Sequence, residues 1–200
     1  MDLVTQGILG STVAQAAYGE KLGKRTAYWG FLLGLLPDFD IVTGLWGEWA
    51  SLKYHRGPTH SLPLLVLASI PAGYLLKKIT RSEAPLQQWI GMAFLSLTTH
   101  PLIDWCTTYG TPLLWPITSQ RFANDALPII EPFYSLPLLL VTFFGFFSLF
   151  SPKTRRALAA GALLISTAYA FWGYQNSQHL VEKGREIFIK QGFEPVEVRA

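Results

Sequence analysis

Ser61-Leu-Pro-Leu-Leu-Val-Leu-Ala-Ser-Ile-Pro-Ala-Gly-Tyr-Leu-Leu-Lys-Lys-Ile79 decides the fold. Its first 16 residues carry no charge, and the run closes on two lysines, with Arg81 just beyond. A helix rises about 1.5 Å per residue, so about 20 apolar residues cross the roughly 30 Å hydrocarbon core of a bilayer. This run is of that length. Five companions read the same way, at residues 3–18, 26–45, 86–105, 133–150 and 157–174. The first is shorter and carries Thr5, Gln6, Ser11, Thr12 and Gln15, as suits a half-buried helix packed against the others. The whole chain agrees: 50% of its 200 residues are apolar and only 14% charged, against roughly 25% charged in a soluble domain. That composition excludes a water-soluble fold, a disordered chain and a nucleic-acid module. A single cysteine, Cys106, excludes an internal disulfide framework and a cysteine-rich zinc site. The expected class is all-α, a polytopic membrane bundle of about six segments with a polar pocket at its outer face.

Charge sets the expected orientation. Lys21, Lys24 and Arg25 follow the first segment, Lys77, Lys78 and Arg81 the third, and Lys153, Arg155 and Arg156 the fifth. The opposite connections hold only Lys53, Arg56 and Arg121. Lys and Arg accumulate on the cytoplasmic side, so the basic connections belong there and both termini face outwards, which in a bacterium is the periplasm. Residues 1–175 form the expected membrane domain. Residues 176–200 mix Leu180, Ile187 and Ile189 with Glu182, Lys183, Arg185, Glu186 and Lys190, an amphipathic tail that reads as the start of an external module.

Ionisable groups beside a membrane segment are costly, so their placement is informative. Asp38 and Asp40 stand near the outer end of the second segment, where Pro37 should break the helix and let both carboxylates converge. His55 and His60 bracket Arg-Gly-Pro-Thr just before the third segment. His100 and Asp104, four residues apart, share one helix face at the outer end of the fourth, and Asp125 follows in the next outer loop. Singly, each has an ordinary explanation: an aspartate caps a helix, His100-Pro101 marks a kink, and Asp38 or Asp40 pairs with Arg56. Together they are seven potential ligands from four stretches at one depth, which points to a shared metal site.

Imidazole and carboxylate without thiolate suit zinc, manganese or iron. Seven candidates exceed the three or four ligands of one zinc, so either two ions bind or some residues support the ligands or act as a base. Two ions about 3.5–4 Å apart would suit phosphoester hydrolysis.

These residues also carry a family resemblance. Met1-Asp-Leu-Val-Thr-Gln-Gly-Ile-Leu-Gly10, Leu36-Pro-Asp-Phe-Asp40, His55-Arg-Gly-Pro-Thr-His-Ser61, His100-Pro-Leu-Ile-Asp-Trp-Cys-Thr-Thr-Tyr-Gly-Thr111 and Leu114-Trp-Pro116 together resemble the YdjM-like family. The resemblance spans about residues 1–125, and its His-Arg-Gly-Pro-Thr-His-Ser block is the specific part. It implies a LexA-regulated, membrane-bound, metal-dependent hydrolase of the bacterial inner membrane. Its distant similarity to zinc-dependent phospholipases C implies a phosphoester substrate. Many relatives carry Thr-His where this chain has Thr5-Gln6. Gln6 is a poor metal ligand, and a hydrogen bond to a ligand or substrate is the role left to it. Longer relatives continue into an external module.

The leading expectation is therefore a metal-dependent hydrolase acting on a lipid-borne phosphoester at the outer leaflet, with one or two divalent ions, zinc foremost. Asp38, Asp40, His55, His60, His100 and Asp104 are the expected ligands, and Asp125 a ligand or general base. Arg56, and with less support Arg121, would hold a phosphate by charge-assisted contacts. Thr59, Ser61, Thr107 and Thr108 read as hydrogen-bonders rather than nucleophiles. The expected partners are the bilayer and a lipid or lipid-linked substrate, with no nucleic acid; nothing fixes an oligomeric state. A metal-ion transporter or sensor is the rival, and it would need polar residues continuing through the membrane. A non-catalytic membrane scaffold is the third possibility.

Overall fold

The computed structural model describes residues 1–47, 49 and 56–193. The elements assigned among the described residues are helical, six of them α-helices: α1 (Leu3–Leu22), α2 (Thr26–Leu35), α3 (Leu62–Thr80), α4 (Leu86–Trp105), α5 (Pro132–Phe146) and α6 (Pro152–Lys190). Two 3-10 stretches, Leu36–Trp46 and Pro58–His60, complete the set. No strand occurs among the described residues; Thr111 and Phe122 form one isolated antiparallel bridge. Helices α3 and α6 are long and apolar enough to cross a membrane.

Local chemistry sets the boundaries. Asp2 caps α1 by accepting from the Thr5 amide at 2.9 Å, and Ser61 caps α3 by accepting from the Leu64 amide at 3.4 Å. Helix α3 ends where Arg81 turns left-handed and its N–H returns to the Lys77 and Lys78 carbonyls. The expected second segment, residues 26–45, is two pieces: the α-helix stops at Leu35, and Pro37 opens a 3-10 run. Proline has no N–H for the α ladder and crowds the preceding turn. The last helix overruns its expected end at residue 174 and takes in most of the tail, continuing to Lys190.

Helix α1 is the axis. It packs against α2, α4, α5 and α6, while α3 packs against α4 and α6 against α5. Thr5, Gln6, Ser11, Thr12 and Gln15 are all buried on it, whereas Leu67, Ile70, Phe143, Leu164, Ile165 and Phe171 are exposed on the outer helices. A polar interior inside an apolar exterior is the arrangement expected where lipid is the solvent.

The α1–α2 contact is made by glycine. A Cβ on Gly34 would stand 2.5 Å from the Gln6 carbonyl oxygen, and one on Gly10 would stand 2.5 Å from the Gly30 carbonyl oxygen. Gly30-Phe-Leu-Leu-Gly34 is the small-x-x-x-small spacing that lets two helix backbones meet. Gly34→Ala should therefore destabilise the folded chain by about 1–3 kcal/mol, since overpacking here meets rigid backbone. Gly161→Ala, where nothing lies within 4 Å of the added carbon, should leave stability unchanged. Thermal unfolding in detergent checks both. Equal stability of the two variants would show that α1 and α2 do not need this close approach.

Candidate metal centre

Three elements bring their polar side chains to one point. The 3-10 run after Pro37 supplies Asp38 and Asp40, the short turn Pro58–His60 supplies His60, and the last turn of α4 supplies His100 and Asp104. His60, His100 and Asp104 are fully buried, at 0% exposure.

Asp38, His60 and His100 each aim one ligand atom into the same space, all within 4.8 Å of one another. The two histidine Nε2 atoms stand 3.1 Å apart. Asp38 Oδ1 lies 3.4 Å from the first and 3.2 Å from the second. Asp104 Oδ2 closes the figure, 3.4 Å from His60 Nε2 and 3.8 Å from His100 Nε2. Ligands about 2.0–2.1 Å from a tetrahedral zinc are roughly 3.3 Å from each other, so these separations fit one ion. Asp104 Oδ2 is buried and, among the described residues, makes no regular hydrogen bond; its polar neighbours are the two ligand nitrogens themselves, although buried polar atoms are ordinarily paired. The residues present fit a divalent metal.

The far sides of these ligands are held. His100 Nδ1 is 2.6 Å from the Gly34 carbonyl oxygen, which can only accept, so that nitrogen donates there and Nε2 is the ring atom turned towards the shared space. His60 Nδ1 lies 3.1 Å from Thr59 Oγ1 and 3.5 Å from Asp40 Oδ2. Asp40 Oδ2 also accepts from the Thr59 hydroxyl at 2.5 Å and from the Arg56 backbone N–H at 2.9 Å. Such contacts fix ring orientation and raise ligand basicity. Asp104 Oδ1 accepts from Gln6 Nε2 at 2.9 Å and from the α-amino group of Met1, and Arg56 Nη2 stands 3.5 Å from it. Thr107 Oγ1 donates to the Asp104 carbonyl at 2.7 Å.

Burial alone would lower the His60 pKa, but the carboxylates of Asp104, Asp38 and Asp40 outweigh it and raise the group to about 10. Protonated His60 thus stabilises the metal-free fold fully below its ordinary 6.5, a contribution lost as pH rises through about 10. A metal must expel that proton, so binding weakens as pH falls.

Arg56 is the cation of the site. Its backbone is left-handed, with φ 56°, and its guanidinium lies 4.5 Å from the centre of the Tyr109 ring. Arg121 lies 5.6 Å from the same ring and donates to the Gly110 carbonyl. Nε and Nη1 of Arg56 are buried without a hydrogen-bond partner among the described residues.

The expected residues thus divide. Asp38, Asp40, His60, His100, Asp104 and Arg56 stand together, while His55 lies outside the described residues. Asp125, left-handed with φ 53°, lines a cavity of about 690 Å³ between the loop after α4 and the α6 residues Thr167, Phe171 and Tyr174. It has no hydrogen bond or ion pair to the cluster. The ordinary explanation of Arg56 was a pair with Asp38 or Asp40; its guanidinium stands by Asp104, and Asp40 accepts from its backbone N–H. The Gly34 carbonyl and Tyr109 were not foreseen. The Gly30-x-x-x-Gly34 spacing was the available signal for the first; the second lies in the His100–Thr111 block, which carries the resemblance without giving Tyr109 a role.

The model of the YdjM inner membrane protein family matches residues 1–180. The chain belongs to this family. Among relatives, it is 37% identical over 106 residues to the inner membrane protein YdjM of Escherichia coli (strain K12) and to that of Shigella flexneri, over 49% of this chain and 50% of each. It is 27% identical over 97 residues to the uncharacterized protein YfhP of Bacillus subtilis (strain 168), over 48% of this chain and 29% of that protein. The matches therefore span half or less of those relatives. No solved structure matches the chain. The YdjM family is one of inner membrane proteins, in keeping with the two helices apolar enough to cross.

Proposed function

We propose that this YdjM-family chain is a polytopic inner-membrane hydrolase that cleaves a lipid-borne phosphoester at the periplasmic face, using one divalent ion, zinc by preference. Residues 1–175 form the catalytic domain, and residues 176–200 lead towards an external module. The observation that carries the proposal is the convergence of Asp38, His60, His100 and Asp104 beside an arginine whose Nε and Nη1 have no hydrogen-bond partner among the described residues. Carboxylate and imidazole without thiolate favour a hard or borderline ion over copper(I).

A bound divalent metal supplies Lewis acidity and a water acidic enough to attack at neutral pH. The chain's own groups do the rest. Asp40 and the Gly34 carbonyl orient the two imidazoles, and Gln6 holds Asp104 so that Oδ2 faces inwards. Arg56, stacked on Tyr109, presents two N–H groups to phosphate oxygens, and its charge offsets the negative charge growing on them. The water oxygen adds to phosphorus as the ester oxygen leaves, and the proton given up by water ends on that leaving oxygen. His55 joins the proposal as a further ligand, and Arg121 as a second cation. Asp125 is not needed for this arrangement.

Turnover of a panel of phospholipids and isoprenoid phosphates by the detergent-purified chain tests the proposal. Release of phosphate or headgroup should stop on chelation and return with zinc. If metal-loaded protein turns over none of them, the phosphoesterase assignment falls.

A further inference from the structure

Helix α3 starts beside His60 and ends at Thr80, about 28 Å further along its axis. At that remote end lie two cavities the metal centre does not use. One, of about 340 Å³, is lined by Tyr74, Lys77, Lys78, Arg81, Ser82 and Leu86. The other, of about 430 Å³, is lined by Lys24, Arg25, Tyr28, Phe146, Phe147 and Ser148. Both fall within the roughly 300–1,000 Å³ of ordinary ligand sites.

Their construction is the same. Each sets cations at a helix end, a tyrosine three residues further into the helix, a serine at the turn and an apolar wall. A backbone turn borders each: Arg81 and Ser148 are left-handed, with φ 51° and 53°. None of Lys24, Arg25, Lys77, Lys78 and Arg81 has a carboxylate partner among the described residues; the ion pair on this side joins Arg156 to Glu20 at 3.3 Å. A topology signal needs charge alone. It needs neither a concave site nor an aromatic wall. Exposed Leu75 and Ile79 continue from the first cavity along α3, and exposed Leu139 and Phe143 continue from the second along α5. Uncompensated cations above an apolar strip match one ligand chemistry, an anionic headgroup with acyl chains.

We propose that these two cavities bind anionic glycerophospholipids of the cytoplasmic leaflet, the phosphate among the cations and the chains along α3 and α5. The leaflet rests on the orientation in the preceding proposal; the binding itself does not depend on the metal centre.

Native mass spectrometry of the full chain, with phosphatidylglycerol and phosphatidylcholine as the probes, tests it. The wild type should retain the anionic lipid in preference. The combined variant Lys77→Gln, Lys78→Gln, Arg81→Gln should lose about tenfold in that preference, since each surface cation contributes to anionic-lipid binding. Lys21→Gln, Lys153→Gln, Arg156→Gln removes as many cations from the same side outside both cavities, and should lose less than about threefold. Equal losses would mean diffuse attraction, and no loss in either would mean no site; both overturn the proposal. Unfolding in phosphatidylcholine nanodiscs should be alike for both variants, showing that the first is folded. Excess inorganic phosphate should not displace the lipid; displacement would mark a free-phosphate site and overturn it. Ser82→Cys, in a background where Cys106→Ser removes the chain's own thiol, should react only from the cytoplasmic side. Labelling from the periplasm would overturn the leaflet and the orientation together, whereas loss of lipid preference in the wild type would overturn these sites alone.

Discussion

His60→Ala and Asp104→Asn are each expected to strip the purified protein of nearly all its divalent metal while it still inserts and folds. His60 Nε2 lies within 3.4 Å of Asp38 Oδ1, His100 Nε2 and Asp104 Oδ2, so it is the contact common to the whole cluster. Residues that only orient a ligand are worth about 10–100-fold in metal affinity, so losing a ligand should cost at least about 100-fold. Asp104→Asn keeps the volume and one carbonyl oxygen for Gln6 and Arg56, but removes the charge that Oδ2 brings to the two imidazoles. Insertion depends on the apolar segments: His60 lies outside them, and Asp104→Asn only removes a charge from the end of the 86–105 run. Metal per protein after dialysis, set beside circular dichroism and elution volume, reads the result. Undiminished metal in both folded variants would remove the shared site and the hydrolase with it.

Much of this site was legible in the chain because the membrane made polarity conspicuous. In a sequence with 14% charged residues, Asp38, His60, His100 and Asp104 stood out against their apolar flanks, and the four-residue spacing of the last two put them on one face. Pro37 was legible too, as a residue the α ladder cannot accommodate, and the helix does end two residues before it. The roles within the cluster were not. Whether Asp40 meets a metal or the back of His60 depends on how a 3-10 run twists relative to a turn nearly twenty residues later. The span of α2 was overestimated because the apolar residues Leu36, Phe39, Ile41 and Val42 look the same in a 3-10 run as in an α-helix. Helix α1 looked weakest as a span because its polar residues are buried among the other helices, a fact that composition records only as reduced hydropathy. Its glycines and those of α2 set how closely the two backbones meet, and so where the Gly34 carbonyl stands relative to His100.

Arg56→Lys should keep the metal and the fold yet lower phosphoester turnover by an order of magnitude or more. An arginine beside a metal is unfavourable unless anions offset it, and here Asp104 does so from one side, with Nη2 3.5 Å from Oδ1. Lysine can supply that charge, so the ligand set survives the exchange. It cannot supply the rest. Nε and Nη1 are buried, unpartnered and carried on a planar group stacked over Tyr109, and lysine has no second fixed prong and no plane to stack. The loss should fall mainly on kcat, because phosphate oxygens gain charge as the ester bond breaks and a two-pronged donor is then worth most. Arg56→Gln should lose more, since it also leaves Asp104 without its guanidinium partner. The measurement is kcat and KM on the most active lipid of the panel, with metal content for each variant. If Arg56→Lys loses metal in step with activity, the arginine supports the ligand set through Asp104. If neither activity nor metal changes, the unpartnered N–H groups do not face the substrate, and the anion site must be sought around Arg121 instead.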